Sequence, residues 1–282
     1  MSESDHARVA RTCRAMRRDI IEMVGAAGSG HPGGSLSAVE IVATLYATVM
    51  RHDPTDPAMP ARDRFVLSKG HAAPVLYAAL AESGYLPREE LVTLRKLDSR
   101  LQGHPDMRKL PGVEVSTGSL GQGLSLACGI ALALRLDGNL DPTVYCLLGD
   151  GELQEGQVWE AAMAAAHYGL ANIVAIVDLN GLQIDGPTCD VMDLGDVRDK
   201  FSAFGWTVIG CDGHSLSELS EAFVAARSSA RPAAIVARTV KGRGVSFMED
   251  LCGWHGRAPN AEETAQALEE IGAGAGERGA HV

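Results

Sequence analysis

The sequence has few aromatic residues, no paired cysteine motif and no long apolar run. Phe, Tyr and Trp make up 5% of its 282 residues, and its six cysteines include no C-x-x-C pair. That spacing argues against a disulfide framework or a zinc ribbon and favours a reducing compartment. The longest apolar run, 123–134, is too short to cross a bilayer, and the N-terminus lacks a signal-peptide pattern. We therefore expect a cytoplasmic protein without membrane segments.

Positive charge is also scarce. The sequence has 25 Lys and Arg residues against 36 Asp and Glu residues, and its formal net charge is −11. A broad surface for nucleic acid or anionic lipid is not expected from this balance. The P-loop pattern G-x-x-x-x-G-K-[ST] is absent, which argues against a nucleotide-binding fold of that kind. Any anionic substrate must be held by local positive groups.

Apolar periodicity predicts helices and strands in alternation. Uninterrupted apolar runs at 143–148 and 173–179 are typical of strands that are buried on both faces. Strands separated by helices predict an α/β fold with a mostly parallel central sheet and helices on both faces. We expect one domain over 1–272 and a flexible Gly-rich tail over 273–282. The further predicted elements are strands at 64–68, 206–210 and 234–239, and helices at 4–27, from Ser35 or Ser37 to Met50, and at 72–83, 156–168 and 215–231.

Two of the predicted strands end in residues that suit a metal bound to phosphate. Asp150 follows the first buried run between two glycines, and Asn180 follows the second run 30 residues later. One βαβ unit fits between them, so both side chains emerge at the carboxyl edge of the sheet, where ligands bind. Carboxylate, amide and main-chain carbonyl oxygens suit Mg²⁺ or Ca²⁺, with phosphate oxygens and water completing the shell. The helix that opens at Gly156 can receive the phosphate charge at its N-terminus.

Gly-Asp-Gly followed by this asparagine is similar to the signature of thiamine diphosphate enzymes. Further segments make the chain resemble the transketolases from about residue 10 to residue 260. These segments are 29–37 (SGHPGGSLS), 63–71 (DRFVLSKGH), 102–105 (QGHP) and 111–123 (PGVEVSTGSLGQG). The resemblance implies a thiamine diphosphate-binding fold with Mg²⁺ or Ca²⁺.

The resemblance also implies a role for each matching residue. The metal ligands would be Asp150, Asn180 and the main-chain carbonyl of Leu182. The residues near the diphosphate would be His71 and Gly151, and those near the aminopyrimidine ring would be Gly118, Ser119 and Leu120. The residues that face the reacting centre and the donor hydroxyls would be His31, His104 and His255. Glu155 would lie at the contact between the two cofactor-binding halves.

The histidines support this interpretation by their own chemistry. His31, His71, His104 and His255 each adjoin a glycine, and Gly-His-Pro occurs twice. Imidazole titrates near neutrality and can donate or accept a proton, as a reaction at neighbouring sugar hydroxyls requires. A zinc cluster is the alternative, but the spacing offers no short pair such as H-x-x-x-H.

A full transketolase is much longer than this chain. By the resemblance, the missing part would supply a second α/β domain with the glutamate that protonates the aminopyrimidine. We therefore expect the chain to be inactive alone and to be the N-terminal subunit of a split transketolase. Its C-terminal, pyrimidine-binding partner would complete a two-plus-two heterotetramer that transfers a two-carbon ketol unit from a ketose phosphate to an aldose.

Other interpretations remain open at this point. The sequence is also compatible with a truncated fragment or with a cofactor-binding homologue that does not catalyse. A specialised pathway would use the same cofactor with a sulfonated sugar or a carrier-bound acyl acceptor. A 2-oxo acid dehydrogenase subunit fits the Gly-His motifs less well. Lys69 has no assignable role, and 241–244 is either a phosphate contact or a flexible basic loop.

Overall fold

A parallel sheet forms the centre of the molecule in the computed structural model, which describes residues 2–273. Its strands are β1 (Arg64–Leu67), β2 (Val144–Gly149), β3 (Ile173–Leu179), β6 (Thr207–Asp212) and β7 (Ala233–Arg238). They are ordered β1-β2-β3-β7-β6, and every neighbouring pair is parallel. A short antiparallel hairpin, β4 (Leu182–Gln183) with β5 (Gly186–Pro187), follows β3.

Helices cover both faces of this sheet. They are α1 (Glu3–Ala27), α2 (Pro32–Ser37), α3 (Val39–Thr44), α4 (Ala73–Glu82), α5 (Gln122–Leu136), α6 (Gly156–His167), α7 (Thr188–Met192), α8 (Val197–Ala203), α9 (Leu216–Arg227) and α10 (Ala261–Ala273). One core is built mainly from α1, α3, α4, α9 and α10, and the other from α5, α6 and α8. Within the part of the chain that the structure describes, no helix is long and apolar enough to cross a membrane.

The central strand β2 shows why the apolar runs are uninterrupted. Tyr145 and Leu147 point into the first core, whereas Cys146 and Leu148 point into the second, and all four are fully buried. Successive side chains of a strand point to opposite faces, so a strand covered on both sides must be apolar at every position. The prediction of a parallel α/β sheet with helices on both faces is confirmed.

Some predicted boundaries were wrong. The second helix begins at Pro32 rather than at Ser35 or Ser37, because proline at the first helical position needs no amide donor and has φ already set. It is also interrupted at Ala38, and α3 passes into a π-helical turn at Leu45–Val49. The apolar run at 123–134 belongs to α5, and α10 was not predicted. Apart from Ala273, which ends α10, the predicted tail at 273–282 lies outside the described residues.

The strand register brings three connecting segments to one edge. Gly149 of β2 lies opposite Asp178 of β3, and Asp178 lies opposite Ala237 of β7. The segments that follow these three strands therefore leave the sheet side by side at its carboxyl edge. They carry Asp150, Asn180 and Lys241, and the candidate site is built there.

Candidate active site

Asp150 ties two of these segments together. It is 3% exposed, and its carboxylate accepts a hydrogen bond from the Gly151 amide at 2.8 Å and another from the Gly181 amide. Asn180 shapes the next turn, because its side-chain oxygen accepts from the Leu182 amide at 3.1 Å. The structure thus places the three residues predicted to hold the metal in adjoining turns.

These residues line a cavity of about 220 Å³ at the carboxyl edge. Its wall also contains two lysine side chains, Lys69 and Lys241, which are only 1% and 2% exposed. Within residues 2–273, no group of three His, Cys, Asp or Glu side chains is arranged to hold a metal ion. The oxygen atoms of Asp150, Asn180 and Leu182 would therefore need further ligands from a bound molecule, such as phosphate oxygens.

Lys69 forms a buried ion pair with Asp178, the one charged residue of β3. The Asp178 carboxylate also accepts hydrogen bonds from the hydroxyls of Ser37 and Thr239. Burial alone would raise the pKa of Asp178, but the Lys69 ammonium and these donors hold it below its usual range. The carboxylate therefore stays ionised and fixes the lysine in the cavity wall.

Lys241 approaches the cavity from the segment after β7. Its ammonium donates to the Leu182 carbonyl at 2.9 Å, so it lies beside the third predicted metal ligand. Burial, reinforced by repulsion from Lys69, lowers the pKa of Lys241 to about 8. The basic segment 241–244 is therefore not a solvated loop, since Lys241 reaches inward. Sequence reasoning left Lys69 without a role and gave a phosphate contact as one of two alternatives for 241–244.

Four histidines cluster beside the same cavity, and two of them, His71 and His255, line it. Their ring centroids are 5.0 to 6.4 Å apart in the measured pairs, and they are His31, His71, His104 and His255. Burial, together with nearby cations, lowers the pKa of His31 to about 4 and that of His255 to about 3. The pKa of His71 is well below its usual value for the same reasons, and that of His104 is also lowered. All four rings are therefore neutral at pH 7.

Two of these rings have a polar atom that no protein group satisfies. The Nδ1 atoms of His31 and His255 are buried without a hydrogen-bond partner among the described residues. A buried polar atom of this kind is costly unless a ligand or an ordered water pairs with it. A polar group of a bound ligand would satisfy these two nitrogen atoms. The zinc alternative finds no support, because the four rings form no metal-binding group.

The predicted aminopyrimidine segment packs directly against the histidines. A Cβ atom at Gly118 would lie 3.0 Å from the His104 ring, and one at Gly70 would lie 2.7 Å from the Gly118 amide. The 118–120 segment is therefore held between the turn that carries His71 and the exposed His104. Leu120 lines the cavity, whereas Ser119 is exposed.

Comparison with known proteins identifies the domain. Residues 5–278 match the family described as transketolase, thiamine diphosphate binding domain. The chain belongs to the transketolase family. Human transketolase is 47% identical over 260 residues, which cover 92% of this chain and 41% of that protein. The resemblance seen in the sequence motifs is confirmed.

Two further relatives of this transketolase chain differ in length. The 6-deoxy-6-sulfo-D-fructose transketolase subunit SqwG of a Clostridium species is 45% identical over 257 residues, covering 91% of this chain and 93% of that subunit. The structure of Pichia stipitis transketolase in complex with sedoheptulose 7-phosphate is 34% identical with a TM-score of 0.88, covering 94% of this chain and 40% of that one. The chain thus spans less than half of the long relatives and nearly all of the split subunit.

Two glutamates of the transketolase domain lie in the connection between β2 and α6. Glu152, 2% exposed and not predicted, accepts from the amides of Gly121 and Gly149 at 3.0 Å each and from the Ser68 hydroxyl. It joins the ends of β1 and β2 to the turn before α5. Glu155, predicted at the contact between halves, is exposed at the start of α6 and lines the cavity. Only the spacing Gly-Asp-Gly-Glu could have suggested Glu152, and spacing alone does not reveal burial.

Proposed function

We propose that this chain is the diphosphate-binding, N-terminal subunit of a split transketolase that depends on thiamine diphosphate and Mg²⁺. It would transfer a two-carbon ketol unit from a ketose phosphate to an aldose acceptor. One observation carries the proposal: the predicted oxygen ligands, two buried lysines and two neutral histidines, His71 and His255, line one cavity at the carboxyl edge of the sheet, and the His31 and His104 rings adjoin these histidines.

The metal and diphosphate would be held at the inner end of that cavity. Asp150, Asn180 and the Leu182 carbonyl would bind Mg²⁺, with Ca²⁺ as the alternative hard cation. His71, Gly151 and the ammonium of Lys241 would face the diphosphate. Because Lys241 already donates to the Leu182 carbonyl, a metal ion at that oxygen would repel it unless phosphate oxygens lay between them. We therefore expect the metal and thiamine diphosphate to bind together.

The outer end of the cavity would handle the sugar. When bound, thiamine diphosphate supplies the nucleophilic carbon that attacks the donor ketone. His31, His104 and His255 would hold the donor hydroxyls and move protons at them, since a neutral imidazole both donates and accepts. The unsatisfied Nδ1 atoms of His31 and His255 are available for this. The 118–120 segment would contact the aminopyrimidine ring from one side.

A second subunit would complete the site. Glu155 is exposed at the rim, and α5 and α6 present the apolar side chains of Leu126 and Met163 to solvent, 41% and 57% exposed. A relative of nearly the same length is named a transketolase subunit, which favours a separate partner chain. We propose a C-terminal, pyrimidine-binding subunit in a two-plus-two heterotetramer. The cytoplasm suits it, because all six cysteines are unpaired.

The name of the same relative supports a second candidate substrate. It refers to 6-deoxy-6-sulfo-D-fructose, whereas the Pichia stipitis enzyme was crystallised with a sugar phosphate. Both molecules are ketoses with an anionic group at one end. The histidine cluster would face the ketone end of the sugar rather than its anionic end. The chain is therefore suited to either donor, and the partner would decide between a phosphate and a sulfonate.

The decisive experiment reconstitutes the enzyme. The chain, alone and with the transketolase subunit that co-purifies with it, is assayed for ketol transfer from sedoheptulose 7-phosphate and from 6-deoxy-6-sulfo-D-fructose. We expect no turnover by the chain alone and turnover with the partner. Titration with thiamine diphosphate should show tighter binding when Mg²⁺ is present. Ketol transfer without a second polypeptide would refute the split enzyme, and metal-independent binding would favour a non-catalytic homologue.

A further inference from the structure

Lys241 reaches the cofactor cavity from a short segment, residues 240–244, whose other side rests on a buried polar network. The network consists of Arg17 on α1, Glu40 on α3 and His214 in the turn between β6 and α9. Arg17 and Glu40 are 8% and 9% exposed. None of the three residues touches the cavity that Lys241 enters.

The network holds the segment on both sides of Lys241. Glu40 joins its two partners, since its carboxylate is 2.6 Å from the Arg17 guanidinium and 2.9 Å from Nδ1 of His214. The Val240 amide donates to Nε2 of His214 at 2.8 Å. Nε of Arg17 donates to the Arg243 carbonyl at 3.0 Å. Val240 and Arg243, on either side of Lys241, are thus both linked to the Glu40 carboxylate, the first through His214 and the second through Arg17.

These contacts fix the direction of each hydrogen bond in the network. A backbone amide can only donate, so Nε2 of His214 carries no proton and its Nδ1–H must donate to Glu40. Burial alone would raise the pKa of Glu40, but Arg17 and His214 hold it below its usual value. Glu40 is therefore an ionised acceptor for both partners. His214 acts as a relay with a donor on one side and an acceptor on the other.

The network adds to the main-chain hydrogen bonds of the segment, in which the Gly242 amide donates to the Gly33 carbonyl and the Asp250 amide to the Lys241 carbonyl. Gly242 and Gly244 have φ values of +79° and +94°, a region that glycine enters freely but that other residues avoid. A Cβ atom at Gly244 would lie 2.7 Å from Nε of Arg17. Lys241 is moreover repelled by Lys69. Without the network, we expect the freed segment to let Lys241 turn toward solvent.

We propose that Arg17, Glu40 and His214 are positioning residues for the cofactor site, which fix the 240–244 segment so that the Lys241 ammonium faces the bound diphosphate. The identity of that anion rests on the proposed function, whereas the fixing of the segment does not. Two variants of His214 separate the halves of the relay. His214→Asn keeps an amide donor near Nδ1 and loses the acceptor for Val240, and His214→Gln places a carbonyl oxygen near Nε2.

The first measurement is hydrogen exchange of the full chain without ligand. His214→Asn should speed exchange of the peptide that covers 240–250, whereas His214→Gln should leave it close to wild type. Peptides from α5 report whether the fold as a whole is intact. If they show that a His214 variant is not folded, Glu40→Gln is measured in its place. Equal protection of 240–250 in wild type, His214→Asn and Glu40→Gln would overturn the proposal.

The second measurement is calorimetric titration with thiamine diphosphate and Mg²⁺. Since a hydrogen bond to a charged group contributes enough for a tenfold to hundredfold change, we expect His214→Asn to weaken binding by about tenfold or more. In a Lys241→Met background the same substitution should have no further effect. Arg14→Ala is the control, because Arg14 lines the same surface cleft as Arg17 but its side chain forms no ion pair or hydrogen bond within residues 2–273.

The two measurements distinguish the possible failures. If the wild-type chain does not bind the cofactor, the proposed function fails while the exchange data still decide whether the network fixes the segment. If the wild-type chain binds the cofactor but the effects of His214→Asn and Lys241→Met on binding simply add, the network acts independently of Lys241, and the positioning role is wrong.

Discussion

The buried pair of Lys69 and Asp178 gives the sharpest prediction about stability. Lys69 is 1% exposed and Asp178 is fully buried, so neither charge has water to replace a lost partner. Removal of one member of such a pair costs about 3–5 kcal/mol, because the other charge stays buried and uncompensated. In Asp178→Asn the new amide would also turn a donor or a weaker acceptor toward the ammonium. For a chain of this size the loss corresponds to a fall in Tm of about 6–20 °C.

The loss of stability in Asp178→Asn has an upper limit, which can be tested by measuring stability at different pH values. A lysine that must lose its proton at pH 7 costs about 4.6 kcal/mol, since its ordinary pKa is about 10.4. If Asp178→Asn folds with a neutral lysine, the unfolded state binds more protons than the folded state, so stability rises with pH. The deficit relative to wild type should then shrink by about 2.7 kcal/mol between pH 7 and pH 9.

Urea denaturation of four proteins checks this reasoning: wild type, Lys69→Met, Asp178→Asn and the double variant. Both single variants should lose several kcal/mol without a change in m, and the double variant should lose clearly less than their sum. Additive losses, or a single loss below about 1 kcal/mol, would show that the pair is hydrated and would contradict its buried position.

Three further predictions concern the histidines, the metal and α5. His31 and His255 should stay neutral in NMR titrations down to about pH 5, and because their folded pKa values lie below the unfolded value, their contribution to stability should be lost as pH falls below about 6.5. Asp150→Ala should abolish the effect of Mg²⁺ on thiamine diphosphate binding in calorimetry while leaving the circular dichroism spectrum unchanged. Gly123→Ala should be strongly destabilising in thermal melts, since its Cβ would lie 2.3 Å from a serine hydroxyl of the neighbouring strand end. Gly129→Ala, in the same helix with open space around it, should instead stabilise by up to about 1 kcal/mol.

The fold could be predicted largely because the central strands have a distinctive sequence pattern. The runs at 143–148 and 173–179 are apolar at every position, a pattern that requires cover on both faces. The start of the second helix was predicted less well, since Gly33 and Gly34 suggested irregular structure whereas Pro32 begins a helix there. Helix α10 was missed because its polar, Glu-rich face hides a narrow apolar stripe that includes Ala267 and Ile271.

The candidate site could be predicted only where its residues are close in sequence or adjoin a strand end. Asp150 and Asn180 have that signal. Lys69 and Asp178 lie 109 positions apart, and His214 and Glu40 lie 174 apart, so their pairing depends on how the helices pack on the sheet. A charged residue inside the apolar run of β3 was the one local sign that something must be buried opposite Asp178.

The charges around the cavity explain why an acidic chain can serve an anionic cofactor. The chain carries a net charge of −11, yet two buried carboxylates, Asp150 and Asp178, face two buried ammonium groups, Lys69 and Lys241. Mg²⁺ alone would add repulsion at Lys241, and a diphosphate alone would add repulsion at Asp150. Bound together, they largely neutralise each other and place each charge beside an opposite one. A balanced set of buried charges would therefore favour the complex of metal and diphosphate over either component, and the neutral histidines that we propose to bind the sugar would leave that balance unchanged.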